Sequence, residues 1–206
     1  MQPDLERWPA ELERGQAAAA LQGEERSGDR AVFVAWESGA LAAAIDGLGH
    51  GADAAVAAEE AAKVVRERAQ AAPETLLKRC HEALVRTRGV VMTLAWFDLV
   101  ATTLTWTGVG NVEGRLLRAS AAPGVAPESA LIKGGVVGYS LPSVRPTTTE
   151  LHSGDTLVMA TDGVSSAFAS SLVAGVDAQE LAEKLLAEHG RGNDDALVVV
   201  VRAKLE

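Results

Sequence analysis

The 206-residue sequence predicts an α+β sandwich in which antiparallel strands lie inside and helices outside. Two observations carry this. Helical patterning is gathered into blocks, chiefly Ala52–Arg86 and Ala178–His189, and does not alternate with strands as it would in a doubly wound sheet. Between the blocks run short segments rich in β-branched and aromatic residues, bounded by Gly, Asn and Asp.

Taken in order, Leu12–Leu21 reads as a first strand or a short helix, and its periodicity does not choose between them. Gly23–Arg30 is a turn, Ala31–Trp36 a strand, and Leu41–Ile45 a second strand after the turn at Glu37–Gly39. Ala52–Ala71 is rich in Ala, Glu, Lys and Arg, which favour helix. Pro73 suits the first turn of a second helix ending near Arg86. Val90–Phe97, Thr102–Val109 and Val112–Arg118 are strands, the last two joined by a tight hairpin turn at Gly110–Asn111. Gly124–Ser143 reads as loop-rich, with "GGVVGY" a buried glycine-containing segment, and Thr147–Leu151 and Thr156–Ala160 as strands flanking the turn His152–Asp155. A short helix follows Gly163, and Ala178–His189 is amphipathic, with Leu181, Leu185 and Leu186 on one side. Leu197–Val201 closes the chain as a strand. Two pairs of flanking helices are therefore expected.

Composition narrows the function. Hydrophobic residues make up 48% of the chain, as in a globular protein, and no window approaches the roughly 18 consecutive apolar residues of a membrane span. The N-terminal stretch is charged and has no signal-peptide core, and Cys80 is the only cysteine, so a single cytoplasmic domain over 1–206 is expected. Cys80 falls in the second helix and reads as core. Nineteen Lys and Arg against 28 Asp and Glu leave a net charge of −9, which disfavours nucleic acid and anionic membrane as partners and suits cations.

Acidic residues recur at strand ends beside Gly or small polar residues. Asp46 ends "LAAAI" and precedes Gly47; Asp162 follows "TLVMAT" and precedes Gly163; Asp194 and Asp195 stand just before "ALVVVV"; Asp29 precedes "RAVFV". Any one of these could be a plain turn, and Asp162 could cap the helix after Gly163. As a converging set they would repel one another unless cations sat among them. Oxygen donors without a His or Cys cluster point to Mg²⁺ or Mn²⁺ and away from zinc.

The set resembles the metal-dependent PPM (type 2C-like) protein phosphatases. "AIDGLGHGADAA", "MATDGV" and "NDDALVVVV" are similar, in order, to that family's metal motifs. "GEERSGDRAVF", "TRGVVMTLAWFD", "WTGVGNVEGRLLR" and "GGVVGYSLP" resemble further segments of its SpoIIE-like branch, especially the small RsbX-type phosphatases of the stressosome. The likeness runs from about Gln16 to Arg202.

The resemblance implies a four-layer α-β-β-α sandwich with two Mn²⁺ or Mg²⁺ ions at one end. By position, Asp46 would bridge both ions, the Gly47 carbonyl would ligate one, and Asp162 and Asp194 the other. Asp29 would act through a metal-held water. Asp195 stands where many relatives carry Asn and would act behind the ligands or as a further metal contact. His50 is either a general acid or donor behind the ligands, or a shaper of the turn. The implied reaction is hydroxide attack on phosphoserine or phosphothreonine in STAS-domain stressosome or partner-switching proteins. The alternatives are a metal-dependent phosphohydrolase of another substrate and an inactive phosphoprotein-binding relative. Eukaryotic members hold the substrate phosphate with an arginine; Arg26 and Arg30 lie near its place without matching it.

Overall fold

The computed structural model describes residues 8–122 and 125–205. The start of the charged N-terminal stretch, residues 1–7, and the beginning of the glycine-rich segment at Gly124 lie outside them. The strands are β1 (Leu12–Ala19), β2 (Asp29–Trp36), β3 (Gly39–Gly47), β4 (Val90–Asp98), β5 (Thr103–Val109), β6 (Glu113–Leu117), β7 (Glu128–Ser129), β8 (Ile132–Lys133), β9 (Thr147–Glu150), β10 (Thr156–Ala160) and β11 (Ala196–Ala203). The helices are α1 (Ala52–Arg68), α2 (Pro73–Leu84) and α3 (Ala178–His189), with a 3₁₀ stretch at Ser166–Ser171.

The strands form two stacked sheets. One runs β1-β11-β10-β6-β7; the other runs β2-β3-β4-β5-β8, with β9 also on β5. The ambiguous first segment is strand β1, paired with β11 from Leu12↔Ala203 to Ala19↔Ala196. The Val-rich β11 is buried along almost its whole length, so it takes a strand on each edge, β1 and β10.

Alternation assigns each face. In β3, Ala40, Ala42 and Ala44 point into the inter-sheet core with Leu157, Met159, Leu197, Val199 and Trp106. Leu41, Ala43 and Ile45 point the other way, against Ala57, Ala58, Ala61, Ala62 and Val65 of α1 and Leu76, Leu77 and Cys80 of α2. Small alanines on both sides let α1 lie close to the sheet. On the far face, Leu181, Ala182 and Leu185 of α3 cover Val158, Ala160, Val198 and Val200. Asp177 caps α3, accepting from the amides of Gln179 and Glu180 at 2.9 and 3.1 Å.

Three sequence expectations change. Gly110–Asn111 does not close a hairpin: β5 and β6 belong to different sheets, and the turn carries the chain across the sandwich. Both edges of β5 are already taken, one by β4 and the other by β8 and β9, while β6 finds β10 and β7. The second outer layer holds α3 and a six-residue 3₁₀ stretch in place of a helix pair, because only Phe168 of "SAFASS" is buried and one anchor does not support a longer helix. The loop-rich segment carries the short strands β7 and β8, and of "GGVVGY" only Val137 is buried, with Tyr139 exposed. No helix among the described residues is long and apolar enough to cross a membrane.

Candidate metal centre

The strand-end carboxylates gather at one end of the sandwich. Asp29 opens β2 and Asp46 stands near the end of β3, directly opposite it in the antiparallel register. The Gly47 amide donates to the Gly28 carbonyl at 3.0 Å, so the next pair, Asp29 and Asp46, is a non-hydrogen-bonded one, in which side chains approach most closely. Asp162 follows β10, and Asp194 and Asp195 precede β11. Asp29 is almost fully buried, Asp46 half-buried and Asp162 exposed. Two ionised carboxylates about 5 Å apart at an effective dielectric near 20 repel by roughly 3 kcal/mol.

Burial is the main force on both inner carboxyls. Burial pushes Asp46 up to about 8, helped by the charges of Asp29, Asp162, Asp194 and Asp195. Burial pushes Asp29 up to about 7 against the lowering effect of a hydrogen bond from Thr161; the charges of Asp195, Asp162 and Asp194 raise it further. No cationic side chain counts among the main influences on either group.

Hydrogen bonding sorts the five acids. Thr161 Oγ1 donates to Asp29 Oδ2 at 2.8 Å, while Asp29 Oδ1 is buried without a partner. Asn111 Nδ2 donates to Asp162 Oδ2 at 2.8 Å, and Asp194 Oδ1 accepts the Asp195 amide at 2.8 Å. Asp46 makes no side-chain hydrogen bond among the described residues, and each of these four carboxyls keeps an uncommitted oxygen. Asp195 does not: Oδ1 accepts from the Leu21 amide at 2.8 Å and Oδ2 from the Gly28 amide at 2.7 Å.

The two Asp-Gly pairs share a packing reason. A Cβ on Gly47 would lie 2.2 Å from the Ala54 carbonyl oxygen, and one on Gly163 would lie 1.9 Å from that of Asp195. Backbone packing alone therefore demands glycine after each acid. Asp162 does not cap the following 3₁₀ stretch; Ser165 does.

His50 lies on the surface, its Nδ1 2.6 Å from Glu24 Oε1. The contact ties the Gly47–Gly51 turn to the loop before β2. Arg30 is occupied, donating to the carbonyls of Ser27 and Asp29 and to Glu59. Arg26, Ser27, Glu25 and Glu59 line a groove between that loop and α1.

Sequence reading overlooked two side chains. Thr161 joins the sheets at this end, donating to Asp29 and accepting the Leu197 amide at 2.9 Å. Its position in "TDG" was the available signal. Asn111 was read as a turn residue, and nothing local marks it as the partner of Asp162.

The donor set fits a hard divalent cation. It is all oxygen, it includes an orphaned buried carboxyl oxygen, and its charges are mutually repulsive. Among the described residues no three acidic, His or Cys side chains stand close enough to enclose an ion by themselves. Mg²⁺ commonly keeps several waters and uses only one or two carboxylates, so an open arrangement suits it.

The family model of the stage II sporulation protein E (SpoIIE) matches residues 37–204. The chain belongs to the SpoIIE family of PP2C-type protein phosphatases. SpoIIE-type solved structures share its fold. A structure described under the bacterial stressosome, "a modular system that has been adapted to control secondary messenger signaling", is 28% identical, with a TM-score of 0.84 over 93% of this chain and 99% of that one. RsbX in complex with magnesium is 20% identical, with a TM-score of 0.85 over 96% of this chain and 98% of that one. The Mycobacterium tuberculosis serine/threonine phosphatase PstP is 17% identical, with a TM-score of 0.73 over 94% and 99% of the two chains. No curated protein sequence is significantly similar to the chain.

Proposed function

We propose that this SpoIIE-family chain is a metal-dependent phosphoserine/phosphothreonine phosphatase acting on phosphorylated STAS-domain proteins of a stressosome or partner-switching module in the cytoplasm. The observation that carries the reading is the facing pair Asp29 and Asp46, two desolvated carboxyls whose main influences are burial and other carboxylates, with no cationic side chain among them. The stressosome-described structure and RsbX, both similar along nearly their whole length, support the substrate class.

In this reading Asp46, the Gly47 carbonyl, Asp162 and Asp194 would hold two Mn²⁺ or Mg²⁺ ions. Bound there, such ions supply a water of lowered pKa and offset charge on the phosphoryl oxygens. The chain's own groups do the positioning. Asn111 fixes Asp162 through its Oδ2 and leaves the other oxygen free. Thr161 fixes Asp29 through its Oδ2 in the same way and leaves its Oδ1 a buried acceptor without a partner, which a metal-held water would satisfy. The exposed position of Asp162 leaves the site open to a protein-borne phosphate.

The test is phosphate release from a phosphorylated STAS-domain protein and from p-nitrophenyl phosphate, with Mn²⁺, with Mg²⁺ and with chelator. Metal-dependent release from both is expected, faster from the phosphoprotein. Protein that binds Mn²⁺ in calorimetry yet releases phosphate from neither would sink the enzyme reading. Hydrolysis of the small ester alone would sink the substrate assignment.

A further inference from the structure

The structure assigns Asp195 a role distinct from that of the four other acids: it is a positioning residue that keeps the Gly47 carbonyl oxygen available to a cation. The inference rests on the proposed metal site. Gly28 and Gly47 face each other across β2 and β3, one step beyond the Asp29↔Asp46 pair. In an antiparallel ladder such a pair exchanges two bonds. Only one is made. The Gly47 amide donates to the Gly28 carbonyl at 3.0 Å. The Gly28 amide, which would return the bond to the Gly47 carbonyl, donates at 2.7 Å to Asp195 Oδ2.

The diversion is built into the fold. Asp195 is 4% exposed, and its other oxygen accepts the Leu21 amide at 2.8 Å, so the carboxylate grips both ends of the Leu21–Gly28 loop. Two charge-assisted bonds to backbone amides, one on each oxygen, hold it there. A Cβ on Gly28 would lie 3.3 Å from both the Gly47 carbonyl oxygen and Asp195 Oδ2, so the three groups share one small space. The Gly47 carbonyl thus lies beside Asp46 without the donor that regular sheet would supply. A buried backbone acceptor left without its partner is uncommon, and a cation would satisfy it.

Asparagine at this position could accept from only one of the two amides and would turn its own N–H groups toward the other. The test is Mn²⁺ titration of the whole chain by calorimetry, wild type against Asp195→Asn, with thermal unfolding of both in chelator. The expected result is at least a tenfold rise in the Mn²⁺ Kd while the metal-free variant stays folded at the titration temperature. Unchanged affinity in a folded variant overturns the inference and leaves the metal site standing. Wild type that takes up no Mn²⁺ overturns the metal site and this inference with it. Should Asp195→Asn not fold, labelled metal-free wild type decides. A through-hydrogen-bond coupling from the Gly28 nitrogen to the Asp195 carboxyl carbon supports the assignment, and one to the Gly47 carbonyl carbon overturns it.

Discussion

Asp29 and Asp46 face each other across β2 and β3 in a non-hydrogen-bonded pair, and only Asp29 has a hydrogen-bond donor, Thr161. Like charges directly opposite destabilise a sheet. Here the surroundings add burial and three further carboxylates. In the proposed metal centre, cations would relieve that repulsion.

Replacing Asp46 with Asn should separate stability from function. The variant loses a buried charge whose main neighbours are further carboxylates, so the metal-free protein should become more stable at pH 8, by about 1–3 kcal/mol. Mn²⁺ binding and phosphatase activity should both be lost. Urea unfolding in chelator, calorimetry with Mn²⁺ and phosphate release check the three parts. A destabilised metal-free variant would show that Asp46 is held by contacts of its own.

The same repulsion sets a pH dependence. Both carboxyls are raised from an ordinary value of 3.8, to about 7 for Asp29 and about 8 for Asp46, so the folded state holds protons that the unfolded chain has released. The stability this gives is present in full below about pH 4 and is lost as pH rises through about 7 to 8. Metal-free protein should thus weaken steadily between these limits in denaturant titrations. Saturating Mn²⁺, which binds the ionised forms, should flatten or reverse the trend. A metal-free profile without slope would contradict the burial of the pair.

Asn111 is a gentler probe. It is exposed and donates to Asp162 Oδ2 at 2.8 Å, so Asn111→Ala should leave the unfolding temperature nearly unchanged. The Mn²⁺ Kd should rise about tenfold, the usual cost of removing a group that orients a ligand. Calorimetry beside a thermal melt reads both. Equal affinity in variant and wild type would remove Asn111 from the site.

Arg118 tests the opposite end of the sandwich. It donates to the fully buried Asp155 at 2.7 Å, to the Glu150 carbonyl and to Glu128. Arg118→Ala leaves Asp155 with the amides of Ala119 and His152 and the exposed His152 ring 3.6 Å away, and should cost about 3–5 kcal/mol in urea unfolding. Mn²⁺ affinity of the folded fraction should not change. A shift in affinity would show that the two ends are coupled.

Much of this was legible in the residues. Blocks of helix pattern separated by short β-branched runs led to a sandwich, and the order of "IDG", "TDG" and "NDD" marked the acids that meet at its end. Strand alternation likewise separates the faces of β3, since Ala42 and Ile45 differ by an odd step and fall on opposite sides. What the residues could not convey was pairing. Gly110–Asn111 has the composition of a hairpin turn but crosses between sheets, because a turn motif carries no information about which strand edges are already filled. Leu12–Ala19 became strand because β11 offered it an edge, a contact spanning nearly the whole chain. Asp194 and Asp195 are neighbours of identical chemistry, and the sequence by itself made both of them acids at the mouth of a buried strand. Only tertiary structure told them apart: the amides of Leu21 and Gly28 close on Asp195, one on each oxygen, while one oxygen of Asp194 accepts none.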